Sequence, residues 1–320
     1  MLKYIGKRLL MMIPILIGIS LLIFFVMSLS PGDPARLILG ENVPQEEVNK
    51  LREEMGLNDP LIVQYMRYVW NALHGDLGNS YRTGLPVTNE IVVRYPNTIK
   101  LATGAVLIAI VLGIPIGIIS AVKQYSFIDN FSMMLSMILT SMPGFWYGLM
   151  LMLLFALKLR WLPPAGSKSL KYFILPCFTL ACNTFALIVR MTRSTMLEEI
   201  RQDYVRTAKA KGVKPINVTV RHSLRNALLP IVTVAGMQYG ILLGGAVVIE
   251  SVFSVSGLGT LIVESVKMKD TPLVLAAVMF IAVISGLVNL AVDVLYTFID
   301  PRLKSRYAKP KRIKAAKEGQ

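Results

Sequence analysis

The sequence predicts an all-α integral membrane protein with six transmembrane helices and a helical segment between the first two. The chain has 320 residues, of which 54% are hydrophobic and only 17% are charged, and its mean hydropathy is +0.57. Six segments contain no Asp, Glu, Lys or Arg: Leu9–Leu29, Leu101–Val122, Phe131–Leu157, Tyr172–Val189, Asn226–Ile249 and Thr271–Val292. About 20 apolar helical residues cross a hydrocarbon core of about 30 Å, so each segment is a candidate span. A soluble enzyme, a disordered tail and a fibrous protein are excluded.

The distribution of basic residues predicts the orientation of these spans. The chain has a formal net charge of +15. In a six-span topology the N-terminus, the loop at Lys123, the segment Arg190–Arg225 and the tail after Asp300 share one side and hold 21 Lys and Arg, against 12 on the other side. Cytoplasmic loops are enriched in basic residues, so both termini are predicted to be cytoplasmic. We interpret the charge as a topology signal and a contact for anionic membrane lipid, and not as a nucleic-acid surface.

The first span is predicted to stay in the mature protein. Leu9–Leu29 follows Lys3, Lys7 and Arg8, as the apolar region of a signal peptide would. Its apolar stretch is longer than the roughly 7–15 residues of such a region, which favours a retained helix. The turn sequence Pro31-Gly32-Asp33-Pro34 ends it.

The residues from 31 to 94 are predicted to lie outside the membrane and to contain two amphipathic helices. Gln45–Met55 places Val48, Leu51 and Met55 on one helical face, and Leu61–Leu73 is the second such stretch. Residues 75–81 read as a loop. The helices could lie on the membrane, cap the mouth of a pathway or form a small folded connector.

Short connections join spans two to six, apart from the basic segment Arg190–Arg225. Three prolines inside predicted spans indicate kinks or breaks: Pro14, Pro115 and Pro143. Three pairs of small residues at a spacing of four favour close helix contacts: Gly113/Gly117, Gly144/Gly148 and Gly240/Gly244.

The sequence offers no catalytic, metal-binding or cofactor-binding constellation. It contains no G-x-x-x-x-G-K-[ST] loop, so hydrolysis of ATP by that route is excluded for this chain. His74 and His222 have no ligand partner at a useful spacing, and Cys177 and Cys182 are most simply packing residues.

Ionisable residues are almost absent from the spans as well. Asp293, close to the predicted inner end of the last span, is the exception. It could form a gate or pair with Arg302, Lys304 or another polar end group. Ion-driven pumps use buried charged residues, so a neutral interior favours a conduit whose energy comes from outside the chain.

The segment from Leu197 to Pro215 predicts a short helix on the inner membrane surface. Asp203 is placed as the N-cap and its charge suits a helix start, while Gly212 supplies a left-handed stop shortly before Pro215. Tyr204 and Ala208 are four residues apart and share a face. Such a helix could dock into the groove of a partner or lie on lipid.

This segment resembles the coupling loop of permease subunits of ATP-binding-cassette (ABC) importers. Aligned on Gly212, the residues Arg206, Thr207 and Ala208 stand where that loop has its Glu-Ala-Ala; the Glu is absent, and Leu229-Pro230 comes later than in the short form. In both departures the segment resembles the coupling loops of the peptide/nickel branch of these permeases. Further segments fit the same branch: 75–80, 141–145, 162–166, 244–253, 256–259 and 300–302. In this order they resemble the first of the two dipeptide/oligopeptide/nickel permease subunits, the one with the longer external loop.

The resemblance implies a type I importer fold and a set of partners. These are a second permease subunit, two ATPase subunits and an extracytoplasmic substrate-binding protein, in the cell or inner membrane of a bacterium or archaeon. It divides the chain into a tail with the first span, an external helical loop, a five-span transport domain with a coupling loop near 198–216, and a basic tail: 1–30, 31–94, 95–300 and 301–320.

The same resemblance assigns candidate site residues on both sides. For coupling to the ATPases they are Asp203 for capping, Tyr204 for apolar docking, Arg206 for charge contact, Ala208 for close packing and Gly212 as the helix stop. Candidates for contact with the binding protein are Pro31, Gly32, Asp33, Pro34, Gly75, Asp76 and Tyr81.

Two alternatives stay open from the sequence. Within the family, the solute could be a peptide, glutathione or a nickel chelate, with peptide as the first choice. From a different class, the chain could be a stand-alone channel or a gradient-driven carrier.

Overall fold

The computed structural model describes residues 2–30, 32–40, 42–244 and 246–299, with side chains from residue 5 to residue 294 in these ranges. In this part of the chain the helices follow in the order α1 (Leu2–Leu29), α2 (Pro34–Leu39), α3 (Gln45–Glu54), α4 (Leu61–Leu73), α5 (Val87–Val122), α6 (Phe127–Ser141), α7 (Gly144–Leu151), α8 (Lys171–Ile200), α9 (Asp203–Ala210), α10 (Pro215–Asn217), α11 (Arg225–Leu243), α12 (Val247–Val252), α13 (Leu258–Lys267) and α14 (Thr271–Ile299). Two π-helical segments continue α7 and join α10 to α11: Met152–Lys158 and Val218–Leu224.

Five of the described helical segments are long and apolar enough to cross a membrane: Ile5–Leu29, Val87–Val122, Lys171–Ile200, Pro215–Leu243 and Thr271–Val294. The pair α6 and α7 gives a sixth crossing when it is counted as one broken span. The protein is therefore a helical membrane protein of up to six spans, as the sequence predicts.

The third predicted span is bent by 104° between α6 and α7. The break falls at Met142 and Pro143, because proline cannot donate the hydrogen bond that would continue the helix. The Tyr147 hydroxyl hydrogen-bonds to the carbonyl oxygens of Leu139 and Met142, the latter at 2.7 Å. The predicted break at Pro143 is confirmed. Pro14 and Pro115 instead lie inside the continuous helices α1 and α5.

Small residues bring α5 and α8 into close contact. A Cβ atom at Gly117 would lie 2.6 Å from Thr192 Cβ and 2.9 Å from the Val189 oxygen, and one at Gly113 would lie 2.9 Å from Ile188. Only a hydrogen fits there, so the predicted role of this glycine pair is confirmed. Gly148 packs against Phe253 and Gly240 against Asn289, whereas Gly144 faces open space.

The predicted extents of one span and of one connecting segment are wrong. The window Asn226–Ile249 is not one helix, because the span ends at Leu243 and α12 starts at Val247. The basic segment Arg190–Arg225 is mostly helical, since α8 runs to Ile200 and helix resumes at Pro215. The absence of charge marks a membrane crossing, but a helix continues through charged residues wherever its backbone bonds can form.

The bundle has two ends that carry different elements. At one end, which we call the α2–α4 end, α2 packs against α3, and α4 contacts α1 and the start of α14. Lys269 binds the carbonyl oxygens of Ser30 and Gly32, and Ser80 hydrogen-bonds to the buried Asp270. At the opposite end, which we call the α9 end, α9 packs against the π-helical segment Val218–Leu224 and hydrogen-bonds to the end of α8 and the start of α11.

Candidate functional site

Helix α9 begins one residue later than its sequence predicts. Gln202 occupies the N-cap position, and no side chain makes a capping hydrogen bond. The predicted capping role of Asp203 is therefore wrong. Asp203 is the first helical residue and is almost fully exposed; its charge lies in the first turn, where the helix dipole favours it, 3.8 Å from Arg206.

Helix α9 ends as predicted, at Gly212. This glycine has a φ of +75°, and nothing lies within 4 Å of the position that a Cβ would take. The Val213 N–H binds the Ala208 oxygen at 3.2 Å, and the Gly212 N–H binds the Lys209 oxygen at 3.0 Å. This pair of bonds is a Schellman motif, in which a left-handed residue satisfies the last helix carbonyls. The predicted helix stop is confirmed.

One face of α9 is anchored in the chain itself. Val205 is fully buried and Ala208 nearly so, and they form a small apolar cluster with Val218 and the half-buried Val213. The close packing of Ala208 is therefore with the adjoining π-helical segment. The sequence argument missed Val205, although its place three residues before Ala208 on the same face was a usable signal.

Tyr204 ties α9 to two spans through its hydroxyl group. The hydroxyl donates to the Glu199 carboxylate at the end of α8 and accepts a 3.0 Å hydrogen bond from Asn226 Nδ2 at the start of α11. Burial, and then the hydrogen bond to Glu199, raise the pKa of Tyr204, so it stays a proton donor at neutral pH. The predicted role of Tyr204, apolar docking, did not include these hydrogen bonds. The residue remains 38% exposed.

The other face of α9 is exposed and basic. The Arg206 side chain is 77% exposed, and the lysines Lys209, Lys211 and Lys214 are exposed beside it. Ile216 adds an apolar side chain to the same surface. We call this set the α9 surface. A short, rigid helix with basic and apolar side chains, fixed to α8 and α11 on its inner face, can receive a partner and pass on its movement.

A buried ion pair joins α6 to α8. The Asp129 carboxylate of α6 is 1% exposed and accepts two hydrogen bonds from the Arg193 guanidinium of α8, with Nη2 at 2.8 Å, as well as bonds from Ser120 and the Tyr125 N–H. It joins α5, α6 and α8. Sequence reasoning counted Arg193 among loop charges and so missed it.

The candidate residues at the α2–α4 end lie around two adjacent cavities. Gly32, Asp33, Pro34 and Tyr81 line one of about 270 Å³, while Asp76 and Tyr81 line a second of about 170 Å³. Gly75, with a φ of +85°, ends α4 outside these linings. Pro31 lies outside the described residues.

Hydrogen bonds to nearby backbone N–H groups explain the aspartates at positions 33 and 76. Asp33 caps α2 by accepting the Ala35 N–H at 3.1 Å, and Asp76 accepts the Gly78 N–H at 2.9 Å. Burial, and then the nearby Asp270 carboxylate, raise the pKa of Tyr81 to about 12.

At the same end, Glu250 of α12 is fully buried, and the sequence analysis assigned it no role. Its carboxylate accepts the Thr260 N–H at 2.9 Å and so caps the start of α13. A Cβ at Gly257 would overlap this carboxyl group, and one at Gly259 would lie 2.9 Å from its oxygen. The spacing Gly257-Leu-Gly259 therefore makes room for a charged side chain.

Asp293 forms an ion pair with Arg8, whose Nη2 lies 2.9 Å from Oδ2. Of the two roles predicted for Asp293, a gate or pairing with a polar end group, the structure shows the pairing. Arg302 and Lys304 lie outside the described residues.

Comparison with known families assigns the chain. Residues 113–305 match the family described as "Binding-protein-dependent transport system inner membrane component", and residues 1–102 match its N-terminal companion. The chain belongs to this family. The chain is an ABC importer permease.

Relatives of this permease match over nearly the whole chain. It is 41% identical to the dipeptide transport system permease protein DppB of Alkalihalophilus pseudofirmus, over 95% of this chain and 100% of that protein. It is 40% identical to the glutathione transport system permease protein GsiC of Escherichia coli K12, over 95% and 99%. The sequence motifs predicted an ABC permease of the dipeptide/oligopeptide/nickel branch, and this prediction is confirmed.

The fold is also similar to a solved transporter. An inward-facing structure of the MetNI methionine ABC transporter aligns with a TM-score of 0.53 at 18% identity, covering 65% of this permease and 95% of the MetNI chain. The type I importer fold expected from the sequence is confirmed.

Proposed function

We propose that this permease is the first of two permease subunits of an importer for peptides or a similar small solute. In this proposal it pairs with a second permease, two ATPase subunits power the pair, and an extracytoplasmic binding protein delivers the solute. The observation that carries the proposal is the α9 surface, which is exposed, basic and anchored to two spans. The sequence contains no P-loop, which supports placing ATP hydrolysis on partner chains.

The geometry of α9 supports specific coupling roles. Asp203 and Arg206 lie on the exposed side and meet the ATPase through charge. Val205 and Ala208 hold the helix to the permease, Tyr204 passes its displacement to α8 and α11, and Gly212 fixes where it ends. Closure of the ATPase pair then pulls α9, and the spans change from inward-facing to outward-facing.

The α2–α4 end is the proposed docking side of the binding protein. Gly32, Asp33, Pro34, Asp76 and Tyr81 line two adjacent cavities there. Pro31 and Gly75 remain candidates by their position in the chain.

Peptide is the proposed solute class, and glutathione, itself a tripeptide, is the second candidate. The relatives named for dipeptide and for glutathione transport are about equally similar to this chain, at 41% and 40% identity. Uptake of labelled dipeptide and glutathione by cells with the assembled system would separate them. Competition by dipeptide but not by glutathione is expected.

Copurification tests the transport class. Affinity purification of the tagged permease should recover a second permease and an ATPase in stoichiometric amounts, and the isolated permease should not hydrolyse ATP. Hydrolysis by the isolated chain, or solute transport without any ATPase, would favour a stand-alone channel or carrier.

Labelling tests the proposed orientation, with both termini cytoplasmic in a bacterial or archaeal cell membrane. Single cysteines replace Asn49 or Lys209 in a background without Cys177 and Cys182; both positions are exposed. An impermeant thiol reagent added to intact cells, with its access through any outer membrane secured, should label position 49 and not 209. The reverse pattern would invert the topology.

A further inference from the structure

Helix α4 carries apolar side chains on two sides. Tyr65 and Val69 pack against α1 and α14, and Gln64, Arg67 and Asn71 form a polar strip that lines the smaller cavity. A second apolar side faces outward. A helix that borders water normally has one apolar face, turned toward the core, so the outward face of α4 meets something other than water.

The outward face is a continuous apolar stripe. Ile62 is 69% exposed, Met66 60%, Trp70 65% and Leu73 76%. Their spacing of three to four residues places them along one side of the helix, and no charged residue stands among them. Exposed apolar patches of this kind mark contacts with a membrane or another protein.

The position of α4 beside α1 favours the membrane. The Tyr65 hydroxyl is 2.9 Å from Ser20 Oγ, and its ring centroid is 5.5 Å from that of Phe24. Ser20 lies nine residues before the end of α1 at Leu29, which corresponds to about 13 Å along a helix rising 1.5 Å per residue. Tyr65 thus reaches into the depth of a membrane span.

Helix α1, beside α4, also has exposed apolar side chains. Leu22 and Val26 of α1 are 64% and 58% exposed. They belong to the segment Ile5–Leu29, which is long and apolar enough to cross a membrane. Trp70 carries an indole N–H, and tryptophan favours the boundary between headgroups and acyl chains.

We infer that α4 lies in the membrane interface at the α2–α4 end, with the stripe Ile62, Met66, Trp70 and Leu73 covered by lipid acyl chains. Its polar side faces the cavity that it shares with α14. The helix then holds the α2–α4 end against the bilayer, as amphipathic helices with a broad apolar face do.

Spin labelling of the assembled complex in lipid nanodiscs tests this inference. Nitroxide labels are placed at Ile62→Cys, Met66→Cys and Leu73→Cys, with Asn71→Cys as the polar-side control and Leu22→Cys as the lipid control, without Cys177 and Cys182. The ratio of oxygen to nickel-chelate collisions should be several-fold higher at the three stripe positions than at Asn71 and should match Leu22.

A second measurement uses the native tryptophan. In the Trp146→Phe/Trp161→Phe protein, lipids with a nitroxide high on the acyl chain should quench Trp70, and aqueous iodide should not. Nickel-chelate collisions equal to those at Asn71 would place the stripe in water and overturn the inference. Low collisions with both reagents would place it under a protein partner and overturn it equally. Neither result depends on the solute, so the proposed transport function would stand.

Discussion

Thr98 Oγ donates a 2.8 Å hydrogen bond to the buried carboxylate of Glu250, although the two residues are 152 positions apart in the chain. The same Thr98 oxygen accepts the Leu258 N–H at 2.9 Å. Through these bonds α5 is joined to α12 and to the start of α13. The Thr98 hydroxyl donates to one oxygen of the carboxylate and the Thr260 N–H donates to the other, so both oxygens act as acceptors.

Glu250→Gln should destabilise the permease although it preserves the shape of the side chain. The amide NH₂ would face either the Thr260 N–H or the Thr98 hydroxyl, and a buried donor would lose its acceptor. Such a loss costs about 1–3 kcal/mol. Thermal unfolding of the detergent-solubilised complex would measure it. Thr98→Ser, which retains the hydroxyl, is the control and should stay near the wild type; a Gln variant as stable as wild type would contradict this role.

Tyr204→Phe should weaken coupling while leaving assembly intact. It removes the hydroxyl that joins Glu199 and Asn226 and keeps the ring. Two hydrogen bonds of about 0.5–1.5 kcal/mol each predict a loss of about fivefold to a hundredfold in solute uptake per assembled complex. Thr207→Ala, at an exposed position on the same helix, is the matched control. Uptake equal to wild type would show that this link transmits nothing.

Gly212→Val should uncouple transport without unfolding the protein. Since nothing lies within 4 Å of the Cβ position, the cost comes from the positive φ alone and amounts to on the order of 1–2 kcal/mol. Gly212→Asn tolerates the left-handed region and should retain more activity. Uptake per assembled complex compares the two. Full activity of the valine variant would remove the Schellman stop from the coupling mechanism.

Asp129→Asn should destabilise the α9 end more than the double replacement Asp129→Asn/Arg193→Met. The single change leaves the guanidinium of Arg193, which is 22% exposed, without its carboxylate. Breaking a buried pair costs about 3–5 kcal/mol, whereas removing both charges costs less. Denaturation of the purified complex, arranged as a double-mutant cycle, would measure the coupling between the two residues. Arg193→Met completes the cycle as the second single variant, and a double effect equal to the sum of the two single effects would mean that the two residues are not coupled.

Sequence reasoning predicted the spans well because a lipid environment imposes a simple rule. Backbone groups in hydrocarbon need partners, so an uncharged stretch long enough to cross is mostly helical, even where a proline or glycine breaks it. The break at Pro143 and the stop at Gly212 were also readable, since each depends on the local chemistry of one residue. The extents of α5 and α8 were not readable, because a helix continues past a charged residue that finds a partner. Arg94 pairs with Glu90 in the same helix, and Arg193 pairs with Asp129 of α6.

The contacts of the candidate site were harder to predict for a physical reason. Sequence spacing showed that Tyr204 and Ala208 share a face, but not whether that face meets a partner or the chain itself. The answer depends on Glu199, Asn226 and Val218, which the fold brings to α9 from other helices. The carboxylate of Glu250 was missed likewise, since its partners lie 10 and 152 residues away.

The bend between α6 and α7 gives the bundle unequal halves. Helix α6 has 15 residues and extends about 22 Å, which is less than the hydrocarbon thickness of about 30 Å. Beyond Pro143 the chain turns by 104°, so one column of the bundle stops short of the α2–α4 end. There α7 packs against α12, and Gly148 meets Phe253. The cross-section of the protein, and with it the number of lipids that surround it, therefore differs between the two leaflets.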